Sequence, residues 1–126
     1  MLPADPFKKW QARVLAETVN SGIQPLQNLS VLNKLESHGV DKAKWAAEYI
    51  EKGLAVFETH AKSSAGIYSV GDEVTIADLC LIPQLYNANR FKVSLENFPT
   101  ILKIQSNLDK LDAFIKAHPD NQPDKV

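Results

Sequence analysis

Val70-Gly71-Asp72-Glu73-Val74-Thr75-Ile76-Ala77-Asp78-Leu79 reads as a turn followed by the start of a helix. Thr75 fits the N-cap, and Asp78 stands three residues on, at N3. The Thr75 hydroxyl can accept from the Asp78 amide, and the Asp78 carboxylate can accept from the Thr75 amide. That is the reciprocal arrangement of a capping box, with Asp in place of Glu or Gln. Val74 at N′ and Leu79 at N4 are placed for a hydrophobic staple. Leu79, Cys80, Leu81, Ile82, Pro83, Leu85 and Tyr86 then make the continuation almost wholly apolar. A helix apolar on all sides belongs in an interior. The pattern predicts a central buried helix beginning at Thr75.

Helical periods continue on both sides. Asp5-Pro6 is an N-cap followed by Pro at N1. Leu15, Val19, Ile23, Leu26, Leu29, Leu32 and Leu35 recur at helical steps up to about residue 36. Pro25 interrupts this stripe, because it has no amide for the Ser21 carbonyl, and a kink or break is expected there. Asp41 can cap a long second helix, with Trp45, Tyr49, Gly53 and Phe57 along one face. Residues 67–70 read as a short extended piece before the capped helix. Phe98-Pro99-Thr100 opens a further helix bearing Ile101, Ile104, Leu108 and Leu111, and a short last one ends at His118-Pro119. The fold class is all-α, a bundle of about five helices over residues 1–118. Residues 119–126 form a polar tail expected to be disordered.

Composition narrows the function. At 126 residues and 44% hydrophobic, the chain can bury one real core. A net charge of −1 and the lack of any basic run argue against a nucleic-acid partner. The longest apolar run is far too short for a membrane span. Cys80 is the single cysteine, so no internal disulfide is possible, which fits a reducing, cytoplasmic setting. His38, His60 and His118 lack metal-ligand spacing, and no metal is expected.

The segment Gly71-x-x-x-Thr75-x-Ala77-Asp78 resembles the folding motif of the C-terminal helical domain of glutathione transferases. Gly22-Ile23-Gln24-Pro25-Leu26-Gln27-Asn28-Leu29-Ser30 is more specific and resembles the zeta class, which includes maleylacetoacetate isomerases. Ala65-Gly66-Ile67-Tyr68 and Asn87-Ala88-Asn89-Arg90-Phe91-Lys92-Val93 resemble it too. The resemblance implies glutathione as cofactor and a small dicarboxylic diketo acid as substrate. It implies cis–trans isomerisation, as in tyrosine and phenylalanine breakdown, and a homodimer of the complete enzyme. Family members place a thioredoxin-like domain, with the serine-rich catalytic motif, before this one. Nothing in these residues matches that domain, and Ser63-Ser64 ends a helix rather than standing in strand context. The chain is expected to be the second half of such an enzyme, inactive in isolation and holding no catalytic residue. A stand-alone helical domain for protein association is the competing reading.

Candidate site residues follow on the same terms. Gln24 and Asn28 are four apart and would share a helix face beside Pro25. By themselves, the residues leave open that these amides satisfy carbonyls freed by Pro25. The resemblance implies that Gln24, Asn28, Leu29 and Ser30 contact glutathione. Arg90 is one of two arginines, against twelve lysines. Arginine suits a carboxylate that must be gripped by a fork, and the resemblance implies a substrate-carboxylate role. A charge complementing the helix dipole is the alternative. Cys80, inside the apolar helix, reads as an inert thiol. Thr75, Asp78, Val74 and Leu79 read as structural.

Overall fold

The computed structural model describes residues 1–125. Six α-helices follow in order: α1 (Pro6–Asn20), α2 (Leu29–Ser37), α3 (Lys42–Ser64), α4 (Ile76–Arg90), α5 (Pro99–Leu108) and α6 (Asp112–Ala117). Short 3-10 turns cover Gln24–Leu26 and Pro119–Asn121. No strand forms among the described residues beyond one bridge between Ala65 and Gly71. α1 packs most extensively against α4 and next against α3.

The caps explain the boundaries. Asp5 Oδ1 accepts from the Lys8 amide at 2.8 Å, with Pro6 in the first turn. Asp41 Oδ1 accepts from both the Ala43 and Lys44 amides at 3.0 Å. The core joins Leu15 and Val19 of α1 to Ile50, Leu54 and Phe57 of α3 and to Leu81 and Leu85 of α4. Ile101, Ile104 and Leu108 of α5 close it. Gly53 is where α3 lets a neighbour in, since a Cβ there would collide with the Ile23 side chain.

The stripe expected to reach residue 36 is two helices. α1 stops at Asn20, and Pro25 sits in the first part of a 3-10 turn rather than inside a helix. Gln24 and Asn28 therefore do not share a helical face. Residues 67–70 are a bent loop and not an extended piece. Tyr68 donates to the Gly71 carbonyl at 3.0 Å, and Gly71 donates to the Ser64 carbonyl at 2.9 Å.

α4 buries Ala77, Asp78, Leu81, Gln84, Leu85 and Ala88, but it is not covered all round. Leu79 is 44% exposed and Tyr86 37%, and Pro83 lies on the same exposed face. Val74 packs against the core, whereas Leu79, its expected staple partner, turns to that open side. Of the aromatic face on α3, only Phe57 is fully buried; Trp45 and Tyr49 are half-buried. Pro119–Asn121 is a turn tied back to α6 by Asn121 Nδ2 on the Ile115 carbonyl and Gln122 Nε2 on the Lys116 carbonyl, each at 2.7 Å. The last residue of the tail, Val126, lies outside the described residues.

Candidate functional site

The start of α4 holds its carboxylate for structural work. Both halves of the capping box form. The Thr75 amide donates to Asp78 Oδ2 at 2.7 Å, and the Thr75 hydroxyl donates to the same oxygen at 3.1 Å. Asp78 Oδ1 accepts from the Ser69 amide at 2.9 Å. The Thr75 hydroxyl also accepts from the Ala77 amide at 3.3 Å. Asp78 is fully buried, and this set of donors engages both of its oxygens. The adjacent Ile76 amide donates to the Met1 carbonyl at 3.0 Å, so the segment before α1 crosses the first turn of α4.

Gln24, Asn28, Leu29 and Ser30 all lie on one exposed segment. Asn28 is the N-cap of α2, and its Oδ1 accepts from the Ser30 amide at 3.0 Å and the Ser30 hydroxyl at 2.7 Å. Its Nδ2, and the whole Gln24 side-chain amide, make no hydrogen bond among the described residues. Leu29 stands 69% exposed beside them.

Two side chains from elsewhere fix this segment. Trp45 Nε1 donates to the Leu26 carbonyl at 3.0 Å. Gln27 and Gln84 are buried and exchange hydrogen bonds, Gln27 Nε2 to Gln84 Oε1 at 2.7 Å and Gln84 Nε2 to Gln27 Oε1 at 3.2 Å. Neither Gln27 nor Gln84 stood out in the sequence. The only available signal was one amide in the apolar run after the cap.

The open face of α4 forms one wall of a groove of about 510 Å³. Leu79, Ile82, Pro83 and Tyr86 face Phe114 of α6 and His118 of the C-terminal turn across it. His118 meets the Tyr86 ring edge-on at 5.7 Å, and the Tyr86 hydroxyl lies 3.5 Å from Asp120 Oδ1. Leu79, Pro83, Tyr86 and Arg90 succeed one another at steps of three and four, so Arg90 stands one turn beyond Tyr86 on this face. Arg90 is exposed and forms no ion pair among the described residues. No hydrogen bond joins it to the segment of residues 24–30.

The chain turns away just after Arg90 in a Schellman arrangement. The Val93 amide reaches the Ala88 carbonyl at 2.9 Å, and the Lys92 amide reaches the Asn89 carbonyl at 3.0 Å. Lys92 holds φ at 58°, a left-handed position that favours glycine.

Cys80 is half-buried, and that burial pushes its thiol above the ordinary value, against a hydrogen bond from Asn20 that pulls it down. A thiol held protonated is a poor nucleophile. No group of His, Cys, Asp and Glu able to hold a metal ion is present among the described residues. No described helix is long and apolar enough to cross a membrane.

Residues 27–119 match the family described as glutathione S-transferase, C-terminal domain. The chain is 46% identical over 124 residues to the maleylacetoacetate isomerase of Mus musculus, covering 98% of this chain and 56% of that protein. It is similar to a crystal structure of maleylacetoacetate isomerase from Anaeromyxobacter dehalogenans with bound dicarboxyethyl glutathione and citrate in the active site. That similarity has a TM-score of 0.96 and 44% identity, over 99% of this chain and 59% of the other. A maleyl pyruvate isomerase structure, described as a bacterial glutathione S-transferase in the zeta class, aligns with a TM-score of 0.94 and 35% identity. It covers 99% of this chain and 62% of the other. The chain thus spans a little over half the length of the curated relatives it matches.

Proposed function

The chain belongs to the glutathione S-transferase C-terminal domain family, and from that membership we propose that it is the helical half of a zeta-class, glutathione-dependent isomerase. The reaction proposed is conversion of maleylacetoacetate to fumarylacetoacetate, a step of tyrosine and phenylalanine breakdown in the cytoplasm, by a homodimeric complete enzyme. A glutathione thiolate adds to the cis double bond and the electron pair passes to the neighbouring carbonyl. Rotation about the resulting single bond follows. Return of the pair then expels the thiolate and leaves the trans product. The thiolate-activating group belongs to the thioredoxin-like half. This half supplies the opposite wall of the cleft, with Gln24, Asn28, Leu29 and Ser30 toward glutathione and Arg90 toward a substrate carboxylate.

The observation that carries the reading is the open apolar face of α4 ending in an unpaired arginine. An apolar groove excludes water around an uncharged diketo chain, and a guanidinium one helical turn beyond Tyr86 can offer a two-pronged grip to a carboxylate. The Asn28 Nδ2 and the Gln24 amide, with no internal partners, are free to bind the amides and carboxylates of a peptide-like cofactor. Relatives named as isomerases over the same stretch favour this reading over a stand-alone association domain.

The test joins this chain in frame behind the first half of the mouse relative and assays isomerisation of maleylacetoacetate with and without glutathione. Turnover is expected only with glutathione, and the 126-residue chain alone should give none. A folded chimera with no glutathione-dependent turnover, or an isolated chain with turnover, overturns the proposal.

A further inference from the structure

We infer that Gln84 is a positioning residue for the glutathione side of the cleft, acting through Gln27; the inference rests on the proposed function above. Gln84 is fully buried on the inner face of α4, among Leu81, Leu85 and Ala88. A polar side chain there carries a desolvation cost that a leucine or methionine would not. Its two bonds with Gln27 offset that cost but add little net stability, since replacing both members of such a pair by apolar groups of the same shape can be nearly neutral. What the pair adds is register. An apolar contact tolerates sliding, whereas two opposed amides that each donate and accept meet in one arrangement only.

The register matters because of what Gln27 is joined to. The Gln27 amide closes the 3-10 turn on the Gln24 carbonyl at 3.3 Å, and the next residue is Asn28, the cap of α2. The 3-10 turn buries no residue of its own, and Gln24, Pro25, Asn28, Leu29 and Ser30 are all exposed. This stretch therefore has little packing to hold it. Ile23, buried against Gly53, holds its near end, and the side-chain anchors within it are Trp45 at the Leu26 carbonyl and Gln84 at Gln27. α4 carries the anchor for residues 24–30 on its inner face and the groove on its outer face. Arg90 follows Gln84 by six residues on the same rigid helix, about 9 Å of rise. One helix thereby fixes the distance between the proposed cofactor and carboxylate positions.

The test uses Gln84→Met and the double variant Gln27→Met/Gln84→Met. The single variant strands a buried amide and is expected to lower the melting temperature; the double removes both amides and should restore it. In the 126-residue chain, exchange of the backbone amides of Leu26, of position 27 and of Leu32 should nonetheless speed up roughly tenfold in the double variant, while those of Leu54 and Leu85 stay as in the parent. In the chimera, the same double variant should raise the KM for glutathione roughly three- to tenfold and leave kcat within about twofold. A purely structural pair would show restored melting with restored exchange and unchanged KM, and that result overturns the inference. Faster exchange with an unmoved KM in an active chimera also overturns it, because the segment is then held but not for glutathione. A parent chimera lacking glutathione-dependent turnover is a different failure. It sinks the proposed function itself, before any glutamine is changed.

Discussion

α4 and α5 both begin at amides held by a buried carboxylate, but the two carboxylates come from different distances. At α4 the carboxylate is Asp78, inside the helix it caps. At α5 it is Glu58 of α3, whose two oxygens accept from the Thr100 amide at 3.1 Å and the Ile101 amide at 3.0 Å. Phe98, in the N-cap position of α5, has no side-chain oxygen to offer. The α4 device is built from neighbours in sequence and can form with the helix itself. The α5 device exists only once α3 and α5 have docked, so it reports tertiary structure.

That contrast can be broken or sharpened by substitution, beginning with Asp78. Asp78→Ala leaves the Ser69 and Thr75 amides and the Thr75 hydroxyl without their buried acceptor, for an expected loss of about 3 kcal/mol. Thr75→Ala should cost about 1–2 kcal/mol, and the two together less than their sum, as expected for one device. Urea unfolding of the four chains in the cycle measures both, and strict additivity would show that the cap is not reciprocal.

Glu58→Ala removes the remote cap of α5, with an expected loss of about 2 kcal/mol. Combined with Asp78→Ala it should be additive within about 0.5 kcal/mol, because the two devices share no partner. Strong coupling in that cycle would mean the two helix starts form as a unit and would erase the contrast.

The far end of α4 offers a smaller effect of opposite sign. Lys92→Gly relieves the left-handed position at the cost of a looser unfolded chain, for an expected gain of about 0.5 kcal/mol. A lower melting temperature in this variant would show that the lysine side chain has a stabilising contact of its own. Arg90→Ala should be smallest of all, within about 0.5 kcal/mol in stability. In the chimera it should lower kcat/KM for the dicarboxylic substrate roughly tenfold or more. Loss of stability without loss of substrate use would assign Arg90 to the helix terminus and not to the cleft.

What the sequence could reveal divides along the same line. The Thr75–Asp78 box was legible because both halves lie within one turn. Glu58 was not, because nothing near it announces a partner 42 residues on. The Gln27–Gln84 pair, 57 residues apart, was hidden for the same reason. Pro25 correctly marked an interruption, but α1 had already ended at Asn20, so the face shared by Gln24 and Asn28 was drawn on a helix that does not exist. The apolar run after Thr75 suggests an interior on every side. Apolar residues say where water is disfavoured, and do not say whether the same chain covers them; Leu79, Pro83 and Tyr86 remain open. Arg90 stood out in the sequence as one of two arginines, but the groove along the same face of α4 needed α6 and the C-terminal turn in position.

The packing of α1 has a consequence for synthesis. Its most extensive partner is α4, which starts at Ile76, whereas its other main partner, α3, starts at Lys42. At roughly 5–20 residues per second on the ribosome, α1 waits several seconds for the helix that completes its burial. During that interval α1 can pack against α3 but not against α4. Ala12, Leu15, Ala16 and Val19 then remain partly available to chaperones or to other nascent chains. Slow translation at any point before α4 has left the ribosome would lengthen that exposure.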